Sequence, residues 1–123
     1  MNIEELRAFC LKRPLATEDF PFDETTLVVR VMGKMFALLD LEKKEWICLK
    51  CDPEKALDLR DQYPDSIQEA FHMNKKHWNQ VRYEGSLNNN LLCSLIDHSY
   101  ELVIAKFTRK MKDEYNSLLT ELS

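Results

Sequence analysis

The chain has 123 residues, 45% of them hydrophobic and 31% charged, the profile of a globular protein large enough to bury a core without disulfide or metal staples. Its net charge of −4 excludes a protein that coats nucleic acid indiscriminately, so any binding of anions must come from a local patch. No stretch approaches the ~20 apolar residues that span a bilayer. Met1-Asn2-Ile3-Glu4-Glu5 lacks the basic and apolar regions of a signal peptide, and the chain reads as cytoplasmic. Two glycines and four prolines leave little room for flexible linkers, so residues 1–123 are expected to form a single domain.

Asn2 followed by Glu5 has the form of a capping box. Ile3, Leu6, Phe9 and Cys10 make an apolar stripe at helical spacing, so a helix is expected from Asn2 to about Lys12, ended by Pro14. Residues 16–23, with paired acids and Pro21, suit an ordered loop. Three strands are expected next: Leu27 to Met32, Met35 to Leu41 and Glu45 to Cys51, with turns at Gly33-Lys34 and Glu42-Lys43-Lys44. Such short turns imply an antiparallel meander.

Asp52-Pro53 marks a second helix, with aspartate as the cap, proline at the first turn and Ala56, Leu59 and Tyr63 on the buried face. Ser66 to Phe71 leaves room for a further short strand, and His77 to Tyr83 alternates as one. An asparagine among Asn88, Asn89 and Asn90 caps a long final helix carrying Leu92, Leu95, Ile96, Val103, Ile104 and Phe107, with a break near Thr108. The order α-β-β-β-α-β-(β)-α describes a two-layer α+β domain, an antiparallel sheet with helices on one face.

Charge divides along the chain. Residues 1–69 hold 10 bases and 15 acids, whereas residues 70–123 hold 7 bases and 6 acids. The segment from Phe71 to Tyr83 concentrates Lys75, Lys76 and Arg82 with His72, His77 and Trp78 and carries no acid, which makes it a candidate contact surface for phosphates. Alternation places His77, Asn79 and Val81 on one face and Trp78, Gln80 and Arg82 on the other, so Trp78 is expected in the core. Lys106, Arg109 and Lys110 form a second basic surface on one helical face.

Other constellations carry less. Cys48 and Cys51 form a C-x-x-C, but 20 residues separate Cys51 from His72, beyond a compact finger, and residues three apart on a strand face opposite sides of the sheet. Two half-buried structural cysteines are expected, with no metal and no cofactor. Asp97-His98-Ser99 contains three triad residue types, yet neighbours on one helix point about 100° apart and cannot relay a proton. No Gly-rich phosphate loop occurs, so no catalytic constellation is found.

The segments Thr17-Glu18-Asp19-Phe20-Pro21-Phe22, Gly33-Lys34-Met35-Phe36-Ala37, Leu49-Lys50, Asp52-Pro53-Glu54, His72-Met73-Asn74-Lys75-Lys76-His77-Trp78-Asn79 and Ser99-Tyr100 resemble those of the MmcQ/YjbR family of small bacterial proteins. The match runs over about residues 1–107, leaving a helical tail at 108–123. Ala70-Phe71 stands where family members often have a glycine. The resemblance implies a CyaY-like or secretion-chaperone-like α+β fold and a DNA-binding role, with Lys34, Lys50, Asn74, Lys75, Lys76, His77 and Trp78 on the shared surface.

Three functions therefore compete. Nucleic-acid binding would use Lys34, Lys50, Asn74, Lys75, Lys76, His77 and Arg82. A protein- or peptide-binding adaptor would use the open sheet face or an edge strand, and the acidic overall charge suits it better. A small-molecule site would gather Lys34, Lys50, Asn74 and His77, although no reaction type follows from them.

Overall fold

Capping chemistry sets the first helix. Asn2 Oδ1 accepts the Glu5 N–H and the Glu5 carboxylate accepts the Asn2 N–H, so α1 (Ile3–Leu11) begins where the capping box expects it. The computed structural model describes residues 1–71 and 73–122. Beyond α1 it contains β1 (Ala16–Asp19), β2 (Thr26–Val31), β3 (Lys34–Asp40), β4 (Trp46–Lys50), α2 (Pro53–Gln62), β5 (Ile67–Glu69), β6 (Trp78–Arg82), α3 (Asn89–Ala105) and α4 (Arg109–Leu122). The fold is α+β, as expected: one antiparallel sheet in the order β1-β2-β3-β4-β6-β5, with the helices packed on one of its faces.

Four local expectations need correction. Residues 16–19 form edge strand β1 rather than loop. Its sequence, Ala-Thr-Glu-Asp, has no apolar alternation, and pairing with β2 together with the ion pairs Arg7–Glu18 and Arg30–Asp19 holds it. Acids on an edge strand also discourage further strand addition. The β2–β3 turn is Met32-Gly33, both at positive φ (48° and 81°), one residue earlier than expected and of the type that matches strand twist. Tyr63 does not join the buried face of α2. It is the C-cap, 37% exposed, and its carbonyl accepts the N–H groups of Ser66 and Ile67. Finally, Lys106, Arg109 and Lys110 do not share a helical face, because α3 stops at Lys106. Phe107 turns into the core, and Thr108 Oγ1 accepts the Met111 N–H to start α4.

The register identifies the two faces of the sheet. Rows such as Leu27–Leu39–Ile47–Val81–Ile67 point toward the helices. There they meet Leu6 and Cys10 of α1, Ala56 and Leu59 of α2, Leu92, Ile96, Tyr100 and Val103 of α3, and Tyr115 of α4. The row Val28–Leu38–Cys48–Gln80–Gln68 points the other way.

One irregularity joins the helical layer to the sheet. Arg30 pairs with Met35 and Val29 with Ala37, so Phe36 is an extra residue in β3, a β-bulge. The bulge turns the Phe36 ring toward the helices, where it meets Tyr100 edge-on at 5.2 Å. Ser99 Oγ occupies the resulting gap, donating to the Phe36 carbonyl at 2.6 Å and accepting the Lys50 N–H at 2.9 Å. Tyr100 donates to the Pro14 carbonyl at 2.5 Å, and its hydroxyl lies 2.8 Å from that of Tyr115.

Replacing Ser99 by Ala strands two backbone groups beside the core. Ser99→Ala is expected to cost about 2–3 kcal/mol, measured as a lower urea midpoint with an unchanged slope.

Candidate functional site

The basic residues gather at one end of the sheet, with one exception. Lys34 starts β3, Lys50 ends β4, and Lys75, Lys76 and His77 precede β6. In an antiparallel sheet these positions share an end. Partial burial, and after it repulsion from Lys106, holds the Lys50 ammonium pKa below the usual lysine value. Arg82 is the exception. The Trp46–Arg82 pair lies four residues along the ladder from Lys50–Trp78, about 13 Å away. Arg82 is also committed: it bonds Glu45 at 2.8 Å and stacks on Trp46 with 4.8 Å to the ring centroid.

The segment before β6 is built as a clamp. Asn74 Oδ1 accepts the Lys76 N–H, and the Asn74 carbonyl accepts the N–H groups of His77 and Trp78. The asparagine thus spends its side chain on a turn. Arg60 of α2, unremarked in the sequence, bonds Asn79 Oδ1 at 2.7 Å and the Lys75 carbonyl. Trp78 is 7% exposed, buried as expected, but its strand alternation puts it on the face away from the helices. The side chains of Lys75 and Lys76 remain exposed, and His77 is half-exposed. His72 lies outside the described residues.

The other constellations resolve geometrically. Cys51 belongs to the helix-side core while Cys48 lies on the opposite face, half-buried. Burial pushes the Cys48 thiol up to about 12, so it stays protonated at neutral pH. Asp97 pairs with Arg13, His98 Nε2 accepts the Asp52 N–H at 3.2 Å, and Ser99 bridges the strands. Three neighbours thus serve three different elements, and no triad forms.

A wide concavity lies elsewhere, on the face without helices. A groove of about 1150 Å³ is floored by Leu38, Cys48 and Gln80 and walled by Trp46 and Met73. Phe22 and Phe71 stand at its lips, 62% and 66% exposed. Single exposed apolar residues are ordinary, whereas here two phenylalanines flank one groove. Asp23, Asp40, Glu45 and Glu84 border it, against Lys43 and Lys44. The acids act on their surroundings: burial first, then Glu84, Asp40 and Glu45, push the Tyr83 hydroxyl up to about 12. None of Lys34, Lys50, Asn74, Lys75, Lys76, His77 and Arg82 lines this groove.

Gln80 is the groove's anomaly. It is only 6% exposed, and its Nε2 has no hydrogen-bond partner among the described residues. Leaving a buried amide unpaired costs about 1–3 kcal/mol, and such groups call for an explanation. Gln80→Met keeps the length of the side chain and removes the amide. It is expected to raise stability by about 1 kcal/mol, a gain of roughly 4 °C in Tm by calorimetry.

Comparison with known proteins places the chain. Residues 11–102 match the family model YjbR. The chain is 31% identical over 123 residues to the uncharacterized protein YjbR of Escherichia coli K12, covering 99% of this chain and all of that one. It is 36% identical over 102 residues to the uncharacterized protein YbdF of Escherichia coli O157:H7, covering 82% and 83%. A crystal structure of a Deinococcus radiodurans protein with a DUF419 domain superposes with a TM-score of 0.87 at 39% identity, covering 94% of this chain and 88% of that one. A Pseudomonas syringae protein superposes with 0.68 at 28%, covering 83% and 98%. With the family model spanning most of its length and a relative matched from end to end, the chain belongs to the YjbR family.

Proposed function

We propose that this protein is a protein-binding module whose open sheet face receives a segment of another protein. One observation carries the reading: the helix-free face holds an apolar groove of about 1150 Å³ between two solvent-held phenylalanines. That volume exceeds the ~300–1,000 Å³ typical of small-molecule pockets. Its lining pairs apolar floor with polar rim, the anatomy of a protein interface. No reaction is assigned to it: Cys48, the thiol among the described lining residues, is protonated at neutral pH.

Nucleic-acid contact is the second reading. It is favoured by the convergence of Lys34, Lys50, Lys75 and Lys76 at one end of the sheet, with Lys106 beside Lys50. Arg82, neutralised by Glu45 and at the opposite end, is left out of this surface. The family resemblance points the same way, while the net charge of −4 limits such binding to a few phosphates.

Site-specific photocrosslinking separates the two. A photoreactive residue at position 22 or 71 is expected to trap protein partners in living cells, while one at Leu57, equally exposed on α2, is not. Equal labelling from all three positions would remove the groove reading. For the second reading, Lys75→Ala with Lys76→Ala should flatten the salt dependence of binding to a short DNA duplex by about two units of slope. Unchanged duplex binding by the double variant would remove the lysines from any nucleic-acid surface.

A further inference from the structure

The chemistry of the groove narrows its occupant. This step rests on the reading of the open face as a protein-binding surface. The floor is the face of a sheet, so the N–H and C=O groups of β2, β3, β4 and β6 are already spent on one another in the ladder. Only side chains reach a ligand lying there. An extended peptide laid on that floor would bury its own backbone groups without partners, whereas a helix satisfies its backbone internally. Edge pairing is a poor alternative: β1 carries Glu18 and Asp19, both already in ion pairs, and β5 has only three residues.

Dimensions agree with a helix. From Thr26 on β2 through Leu38 and Cys48 to Gln80 on β6 the lining crosses four strands, about 14 Å at the usual spacing. A helix of about ten residues has that length. The two lips then grip it from either end, with Phe22 on the β1–β2 connection and Phe71 on the β5–β6 connection.

Charge fixes the rest. Four carboxylates, Asp23, Asp40, Glu45 and Glu84, face two ammonium groups, Lys43 and Lys44, around the groove. Glu45 is shared with Arg82, which leaves Asp23, Asp40 and Glu84 against the two lysines around the groove. Negative rims attract cationic flanks and repel acidic ones. Gln80 Nε2 at the floor, without a partner among the described residues, would take an acceptor from a small polar side chain set within the apolar stripe.

We infer that the groove binds an amphipathic helix of a partner protein, apolar along one stripe and flanked by lysine or arginine. The probe is a fluorescein-labelled synthetic peptide of about 14 residues with leucines at i, i+3, i+4 and i+7, one serine in the stripe and lysines on the flanks. Three companions complete the set: a scrambled peptide, one with glutamate for lysine, and one with a central proline. Fluorescence anisotropy on the full chain should show the basic helix binding about tenfold or more tightly than each companion. Phe22→Ser with Phe71→Ser, both exposed and so without consequence for folding, should weaken it about tenfold.

Equal binding of the glutamate peptide overturns the cationic partner, and equal binding of the proline peptide overturns the helix. In either case sensitivity to the Phe22/Phe71 variant would leave the groove itself as a protein-binding surface. If no peptide responds to that double variant, the groove reading falls and this inference with it.

Discussion

Ser99 Oγ lies between two strands that have parted, donating to the Phe36 carbonyl on one side and accepting the Lys50 N–H on the other. The gap exists because β3 carries one residue too many at Phe36. Without the bulge, the Phe36 ring would point away from α3. With it, the ring packs edge-on against Tyr100, and the exposed backbone groups find a hydroxyl from the helix itself. Tyr100 in turn reaches the Pro14 carbonyl and the Tyr115 hydroxyl. A single helical turn thereby binds the sheet, the exit of α1 and the C-terminal helix.

All four helices contribute to the core on one side, and that arrangement decides what the other side can do. A sheet whose strands are apolar on both faces needs cover on both. Here the second face keeps Val28 and Trp78 buried but leaves Leu38, Cys48 and Trp46 half-exposed along the groove. Its cover comes only in part from the chain. Arg60 reaches across from α2 to hold the segment before β6 by the Lys75 carbonyl and Asn79.

The segment that carries most of the family resemblance thus proves to be largely architectural. Asn74 closes a turn, Trp78 is buried, and Asn79 receives Arg60. Among the described residues, Lys75, Lys76 and His77 present their side chains outward. Arg82, equally cationic in the sequence, is drawn to the far end of β6 by its strand and neutralised there by Glu45. Charge counted along a chain and charge presented on a surface differ because strand register, not sequence distance, sets which cations meet.

Local signals were legible wherever local energies dominate. The Asn2–Glu5 box, the Asp52-Pro53 start, the break near Thr108 and the period-two strands all follow from capping, φ restriction and alternation acting within a few residues, and together they suffice for an α+β fold. What escaped the sequence depends on partners distant in the chain. β1 has no apolar pattern and exists through pairing and two ion pairs. The Phe36 bulge is visible only against its neighbours on β2 and β4. The groove arises from residues 22 to 84 brought onto one face. The sequence by itself therefore determined the elements other than β1, and the family, because those rest on short-range sterics and residue order. The tertiary structure alone decided which face is open, which lysines share an end and where a ligand could lie, because these depend on register and on which side of the sheet the helices cover.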